Sequence, residues 1–285
     1  RIYWRRARRS AWTGVKPCAL LAIEPKLKSE LNPTTRLADL RLAAAFLTIL
    51  PVAVRNDDQS AHSRGDLAAA AWSFPIVGLL LGAAAGLVYT FAIWLGCTPW
   101  LAATLSVAAL VLLCGALHED GLGDFADGMG GPSRERRLAI TRDSQAGNFA
   151  LVVLLLVFAA RIGAVAAIAV PGEVFTTLMA AAAVSRAAMG VVMHILPAAR
   201  DDGLGADAGR PDRGVVLAAV LIAVLIALPG LGAMATLSCL VGAAVGSGLI
   251  AVMALKRLGG QTGDVLGAVQ LVSELGCLLL ISLMI

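Results

Sequence analysis

Long unbroken apolar runs, rather than alternation, set the pattern of this chain. Residues 67–95, 99–117, 149–170, 174–196, 215–228, 234–255 and 265–285 approach or reach the length that crosses a hydrocarbon core of about 30 Å. The run 215–228 is short enough to lean on its neighbours. Glycine and alanine recur within the runs, as they do where helices pack backbone to backbone in lipid. The pattern predicts an all-α, polytopic membrane bundle of about seven transmembrane helices.

The connectors between the runs fall into two kinds. Residues 96–98, 171–173 and 229–233 are short and carry no Lys or Arg. Residues 118–148, 197–214 and 256–264 are polar and hold Arg134, Arg136, Arg137, Arg142, Arg200, Arg210, Arg213, Lys256 and Arg257. Alternating crossings put the three polar loops and the N-terminus on one side, and this bias of basic residues assigns that side to the cytoplasm. The expected arrangement is three membrane hairpins and a seventh helix, with one chemically equipped cytoplasmic face.

Upstream, residues 37–66 read as an amphipathic, interfacial segment. Leu37, Leu40, Ala44, Leu47 and Ile49 are interleaved with Arg36, Asp39 and Arg41 as far as Pro51. Such a segment fits a helix lying flat at the membrane surface as well as one packed on the bundle. Residues 1–36 form a basic arm expected to be flexible, and residues 67–285 the transmembrane catalytic domain.

Composition supports a bilayer as solvent. Of 285 residues 59% are hydrophobic and 15% charged, against roughly 45–50% and 25% in soluble domains. The net charge of +4 is unevenly held, because residues 1–41 contain ten Lys or Arg and three acids while the remainder is net negative. No zinc-finger spacing or aromatic–glycine signature accompanies the basic arm, so nucleic acid is not an expected partner. Beside Trp4 and Trp12 the arm suits anionic lipid headgroups. Its apolar run, residues 19–23, is too short for a signal peptide. The five cysteines, Cys18, Cys97, Cys114, Cys239 and Cys277, lack C-x-x-C spacing and read as small buried hydrophobes.

The chemistry gathers where the second run ends. Residues 118–131 read HEDGLGDFADGMGG and place Glu119, Asp120, Asp124 and Asp127 within nine positions. On a helix Asp120, Asp124 and Asp127 stand at i, i+4 and i+7 and share a face. Carboxylates so close repel one another unless a cation sits among them. Oxygen donors beside a single histidine, His118, with no thiol among them, select a hard ion, Mg2+ or Mn2+. Mg2+ usually completes its shell with water and substrate phosphate, so a phosphate-bearing substrate follows.

Basic residues follow the acids. Arg134, Arg136 and Arg137 read as topology markers, whereas Arg142, Asp143 and Ser144 at the mouth of the next span read as functional. Arg161 and Arg186 fall about twelve residues into their spans, where insertion of a charge costs roughly 2.5–3.5 kcal/mol, and each must face a partner, a cavity or water. His194 reads as a helix contact rather than a ligand. Residues 259–268, GGQTGDVLGA, place Asp264 in a glycine-rich turn, with Glu274 deeper in the last span.

The acidic motif, together with the pattern R-x-x-x-L-x-I-x-R-D-S-x-x-G over residues 134–147, resembles the cobalamin synthase family, the adenosylcobinamide-GDP ribazoletransferases. Agreement extends to AAFLTILPV (44–52), Ser185–Arg186, PAARDDGLG (197–205) and GGQTGDVLGA, covering roughly residues 37–285. Ala150 departs from the family pattern, where a glycine is expected, and touches helix packing more than chemistry. The resemblance implies a membrane enzyme that joins adenosylcobinamide-GDP to α-ribazole or its 5′-phosphate, releasing GMP and requiring Mg2+. The mechanistic reading that follows assigns the metal to Asp120, Asp124 and Asp127, and the role of base to either Glu119 or Asp143. It further implies substrate contacts from His118, Arg142, Ser144, Arg186, Arg200, Thr262 and Asp264. Self-association and contact with other cobalamin-pathway enzymes are both compatible with it.

Two other classes share part of this pattern. A CDP-alcohol phosphotransferase also places aspartates on a membrane helix, but its Ala-Arg after D-G-x-x is absent here, since Asp124 follows Gly123. A transporter would hold its acids near the bilayer midplane, whereas these cluster at one face.

Overall fold

The computed structural model describes residues 33–52, 66–143 and 145–284. The arm up to residue 32 with Cys18, residues 53–65 of the expected interfacial segment, and Ser144 lie outside the described residues. The chain divides into two compact units, Arg1–Arg36 and Leu37–Ile285. All the chemistry described below belongs to the second.

The described residues are helical, and their only β feature is an isolated bridge between Ala198 and Gln261. The order is α1 (Pro33–Leu47), α2 (Asp66–Ala70), a 3-10 turn (Ala71–Ser73), α3 (Phe74–Trp94), α4 (Pro99–Cys114), α5 (Leu117–Met129), α6 (Arg134–Ile140), α7 (Asn148–Ile168), α8 (Pro171–Ile195), α9 (Leu204–Asp207), α10 (Arg213–Leu258) and α11 (Gly263–Ser282).

Five helical runs are long and apolar enough to cross a membrane: Leu67–Trp94, α7, α8, α10 and α11. A sixth arises only if α4 and α5 are taken together, and those two are bent by 88°. The expected count of seven separate spans is not confirmed by this tally, which takes α10 as a single run. The 46 residues of α10 would extend about 69 Å as a straight helix, more than twice the bilayer core. Gly232, with φ 74° and ψ 175°, breaks it just after Pro229. Val220 and Ala223 before the break, and Leu240, Ala243 and Ser247 after it, line one cavity against Val184–Val191 of α8. The two parts of α10 therefore double back on the same neighbour.

The most buried span is α8, packed by α3, α10 and α11. Glycines allow this closeness: a Cβ at Gly78 or Gly82 of α3 would lie 2.3 Å from the Ala182 or Leu178 carbonyl oxygen of α8. Dispersion between backbones at that range replaces the hydrophobic drive that lipid does not supply. Leu151, Leu155 and Leu156 of α7, like Leu217, Leu221 and Leu225 of α10, face outward, as a lipid-facing surface requires.

The described part of the segment after residue 37 packs on the bundle. Ala43 and Leu47 are fully buried, Phe46 stacks on Phe74 at 6.5 Å, and Trp72 Nε1 donates to Asp39 Oδ2 at 2.9 Å. Of the described cysteines Cys114, Cys239 and Cys277 are buried and free, as small hydrophobes would be, while Cys97 is half-buried.

Candidate active site

The acidic sequence becomes a helix because the chain turns sharply before it. Thr98 caps α4 by accepting the Leu101 N–H, and Pro99 opens it, a favourable start. At the other end Gly115 (φ 61°) and Ala116 (φ 55°) are both left-handed, and the chain leaves α4 at a steep angle as α5. Ile49 N–H donates to the Leu113 carbonyl at 2.9 Å, tying the segment after α1 to this bend.

Two faces of α5 do different work. His118 and Glu119 point into the bundle and are buried, whereas Asp120 is exposed and Asp124 and Asp127 are half-buried. Across from them lies the first turn of α11. Thr262 caps that helix by accepting the Val265 N–H at 3.3 Å, and its hydroxyl donates to Asp264 Oδ2 at 3.2 Å. The two helices meet at glycines: a Cβ at Gly121 would lie 3.1 Å from the Asp264 carbonyl oxygen and 3.2 Å from Gly267 Cα. Close approach of these backbones brings the carboxylates of α5 toward Asp264.

The electrostatics report that proximity. The Asp124 carboxyl is pushed up to about 7, first by loss of water and then by the charges of Asp120, Asp264, Asp127 and Asp143. Four like charges around one carboxylate form a site with unmet demand for a cation. Among the described residues no group of three or more His, Cys, Asp or Glu is placed to hold a metal ion unaided. Asp120 and Asp124 are the carboxylates of this face that could contribute oxygen donors to a cation, with the rest of its shell drawn from elsewhere.

Asp127 also has a structural task. Its Oδ2 accepts the Gly147 N–H at 2.6 Å and its Oδ1 the Ala150 N–H at 3.0 Å. Gly147 has no side chain with which to cap α7, so Asp127 supplies the cap from α5, where a carboxylate also meets the positive end of the helix dipole. Ala150, the departure from the family pattern, is buried with its Cβ 3.4 Å from where a Cβ of Gly123 would stand. It fills the α5–α7 contact and leaves the carboxylates untouched.

The three polar loops converge. Arg134, expected as a topology marker, is a tie: its Nε donates to the Leu258 carbonyl at 2.7 Å and its Nη2 to the Ala199 carbonyl at 2.6 Å. One side chain of the first loop thus binds the end of α10 and the second loop. Ala199 N–H donates to the Gln261 carbonyl at 2.9 Å, and Gln261 N–H to the Pro197 carbonyl at 2.8 Å, joining the second loop to the third. Arg142 pairs with Asp202 in the open, Arg200 lies 3.7 Å from Asp264, and the exposed Asp143 accepts the Gln145 N–H. His194 Nδ1 donates to the Pro211 carbonyl at 2.8 Å, which ties the end of α8 to the second polar loop and not to another helix.

Beneath this face lies a buried network. Arg161 of α7 pairs with Glu119 at 3.1 Å and with Glu274 of α11 at 2.6 Å. Arg186 of α8 donates to the Ala182 carbonyl and the Cys114 sulfur and lies 3.8 Å from Glu274. Gln270 donates to Glu274 at 2.7 Å and to the Ser185 hydroxyl at 3.1 Å. Glu119 and Arg186, expected at the substrate, are thus held inside the bundle. His118 lies there too, both ring nitrogens buried without a hydrogen-bond partner among the described residues. Sequence reasoning required partners for Arg161 and Arg186 but had no signal to name them.

A family model described as cobalamin-5-phosphate synthase matches residues 39–282. A relative from Bradyrhizobium diazoefficiens, named adenosylcobinamide-GDP ribazoletransferase, is 43% identical over 85% of this chain and 92% of its own. Relatives of the same name from Mesorhizobium japonicum and Azorhizobium caulinodans are 40% and 41% identical, over 88% and 85% of this chain and 95% and 94% of theirs. No solved structure matches.

Proposed function

The chain belongs to the cobalamin-5-phosphate synthase family, and we infer from this that it is an adenosylcobinamide-GDP ribazoletransferase, a membrane transferase of cobalamin biosynthesis. Its acceptor is α-ribazole or α-ribazole 5′-phosphate, and its products are adenosylcobalamin or its 5′-phosphate and GMP. The observation that carries the site assignment is the convergence of α5, with Asp120 and Asp124, and the first turn of α11, with Asp264, under a set of loops tied by Arg134.

In the proposed reaction the ribose hydroxyl oxygen of the acceptor attacks the phosphorus that carries the cobinamide. A P–O bond forms to the acceptor, the bond between the two phosphates breaks, and GMP leaves with the bridging oxygen. Asp120 and Asp124 are the residues that would hold Mg2+, which when bound offsets charge on the diphosphate. Asp127 fixes the loop that lies over them. Asp143 is favoured over Glu119 as acceptor of the hydroxyl proton, because it is exposed at the face while Glu119 is engaged by Arg161. Arg142 and Arg200, partnered only by single carboxylates at the mouth, are suited to exchange those partners for phosphate oxygens. Thr262 and Asp264 set the opposite wall. The basic residues of the loops support a reading in which this face lies at the cytoplasmic side of the inner membrane, where GDP-activated substrates are at hand.

The test is detergent-purified protein given adenosylcobinamide-GDP, α-ribazole and Mg2+, with GMP followed by chromatography. The reading expects GMP in equal amount to the joined corrinoid. Folded protein that yields neither would refute it, and CMP release from a CDP-alcohol would favour the lipid-headgroup alternative.

A further inference from the structure

Arg161 has no place in the reaction just described, yet it is the most costly residue in its helix. It is 2% exposed, in the middle of an apolar span, and a well-packed hydrophobic residue there would serve stability as well or better. Buried ion pairs of this kind earn a place by fixing one arrangement among several. What this one fixes is specific. Its guanidinium is shared between Glu119, the neighbour of Asp120 on α5, and Glu274, ten residues along α11 from Asp264. The same Glu274 is held by Gln270 and lies beside Arg186. Two arginines and two glutamates therefore balance, and they link α5, α7, α8 and α11 at one level.

We propose that Arg161 is a positioning residue: its two ion pairs fix the rotation and depth of α5 against α11, and so the spacing of Asp120 and Asp124 from Asp264. The proposal rests on the reading of that face as a metal–diphosphate transferase site. The glycine contact at Gly121 and Gly267 sets how closely the helices approach; a fixed rotation and depth need a directional constraint as well. The ion pairs supply it. A turn of α5 about its axis breaks the bond to Glu119, and a shift of α11 along its axis breaks the bond to Glu274.

The experiment compares wild type with Arg161→Met/Glu119→Gln, which removes one charge of each sign and leaves Arg186 facing Glu274, and with Arg161→Lys. Thermal unfolding is measured in detergent with and without added Mn2+, and kcat and KM are measured for adenosylcobinamide-GDP. The double variant is expected to unfold near the wild-type temperature without metal, yet to lose the stabilisation that Mn2+ gives the wild type. Its kcat should fall about thirtyfold, the scale of a sub-ångström misplacement, while KM stays within about threefold because substrate contacts at the mouth are intact. Arg161→Lys, which keeps the charge but not the flat two-way fork, should show the same split in smaller measure. It decides the matter should the double variant not fold. Variants that keep both the Mn2+ stabilisation and the wild-type kcat would overturn the proposal. A wild type that releases no GMP would refute the transferase reading instead, and the Mn2+ comparison would still judge the positioning role.

Discussion

Adding one methyl group at Gly121 separates catalytic spacing from folding. A Cβ there would stand 3.1 Å from the Asp264 carbonyl oxygen and 3.2 Å from both Asp264 Cα and Gly267 Cα. Carbon contacts settle at about 3.5–4.0 Å, so Gly121→Ala must open the α5–α11 contact by roughly 0.3–0.8 Å. The effect on stability is small because two terms oppose. Alanine favours the helix by about 1 kcal/mol over glycine, and overpacking costs about 1–3 kcal/mol, leaving a loss of about 0–2 kcal/mol. The effect on catalysis is larger: misplacement by 1 Å costs about a hundredfold, so half of that predicts roughly a tenfold fall in kcat. Gly163→Ala and Gly248→Ala, where an added Cβ meets nothing within 4 Å, are the controls and should keep wild-type turnover. The assay is GMP release with saturating substrates, paired with thermal unfolding. Wild-type kcat in Gly121→Ala would refute the claim that spacing across this contact governs the reaction.

Asp124→Asn should abolish GMP formation while leaving membrane insertion intact. Without metal it should also change the pH profile of stability. The folded Asp124 carboxyl sits at about 7, above its unfolded value of 3.8, so the folded state binds the proton more tightly and wild-type stability falls as pH rises between those values. Unfolding temperatures taken from pH 5.5 to 8 in chelator should fall less in Asp124→Asn than in wild type; equal slopes would contradict the crowding of carboxylates. Asp127→Ala removes the cap of α7 and should destabilise by about 1–2 kcal/mol, with faster hydrogen exchange at Gly147 and Ala150; unchanged exchange would show that the cap is dispensable. Arg134→Ala cuts two charge-assisted bonds, and a loss of about 2 kcal/mol or more is expected in thermal unfolding, with protease sensitivity rising in all three polar loops together. Cleavage confined to the first loop would deny the tie.

The sequence exposed the functional face more readily than the bundle that carries it. Asp120, Asp124 and Asp127 are legible because helical periodicity is local, and Asp264 because a Gly-rich turn beside a span is conspicuous. The convergence of the loops followed from their shared basic residues. What was not legible depends on contacts distant along the chain. Arg134 looked like a charge marker because its acceptors, at Ala199 and Leu258, are backbone carbonyls that no sequence pattern displays. The bend after Cys114 was only half legible, because Gly115 permits a left-handed backbone whereas Ala116, which also adopts one, does not advertise it. Arg161 was known to need a partner on energetic grounds, yet Glu119 reads equally well as a catalytic acid from its position beside Asp120. The break in α10 was legible, because Pro229 and Gly232 fall in the turn expected at residues 229–233.

The most direct test of the account titrates Mn2+ against the purified protein in the presence of adenosylcobinamide-GDP and reads bound ion by electron paramagnetic resonance. Asp124 and Asp264 lie 140 residues apart in sequence and on different helices. The account predicts one ion bound tightly by the wild type, and binding weakened in Asp124→Asn and in Asp264→Asn alike. Wild-type Mn2+ affinity in either variant would contradict the claim that α5 and α11 build one cation site.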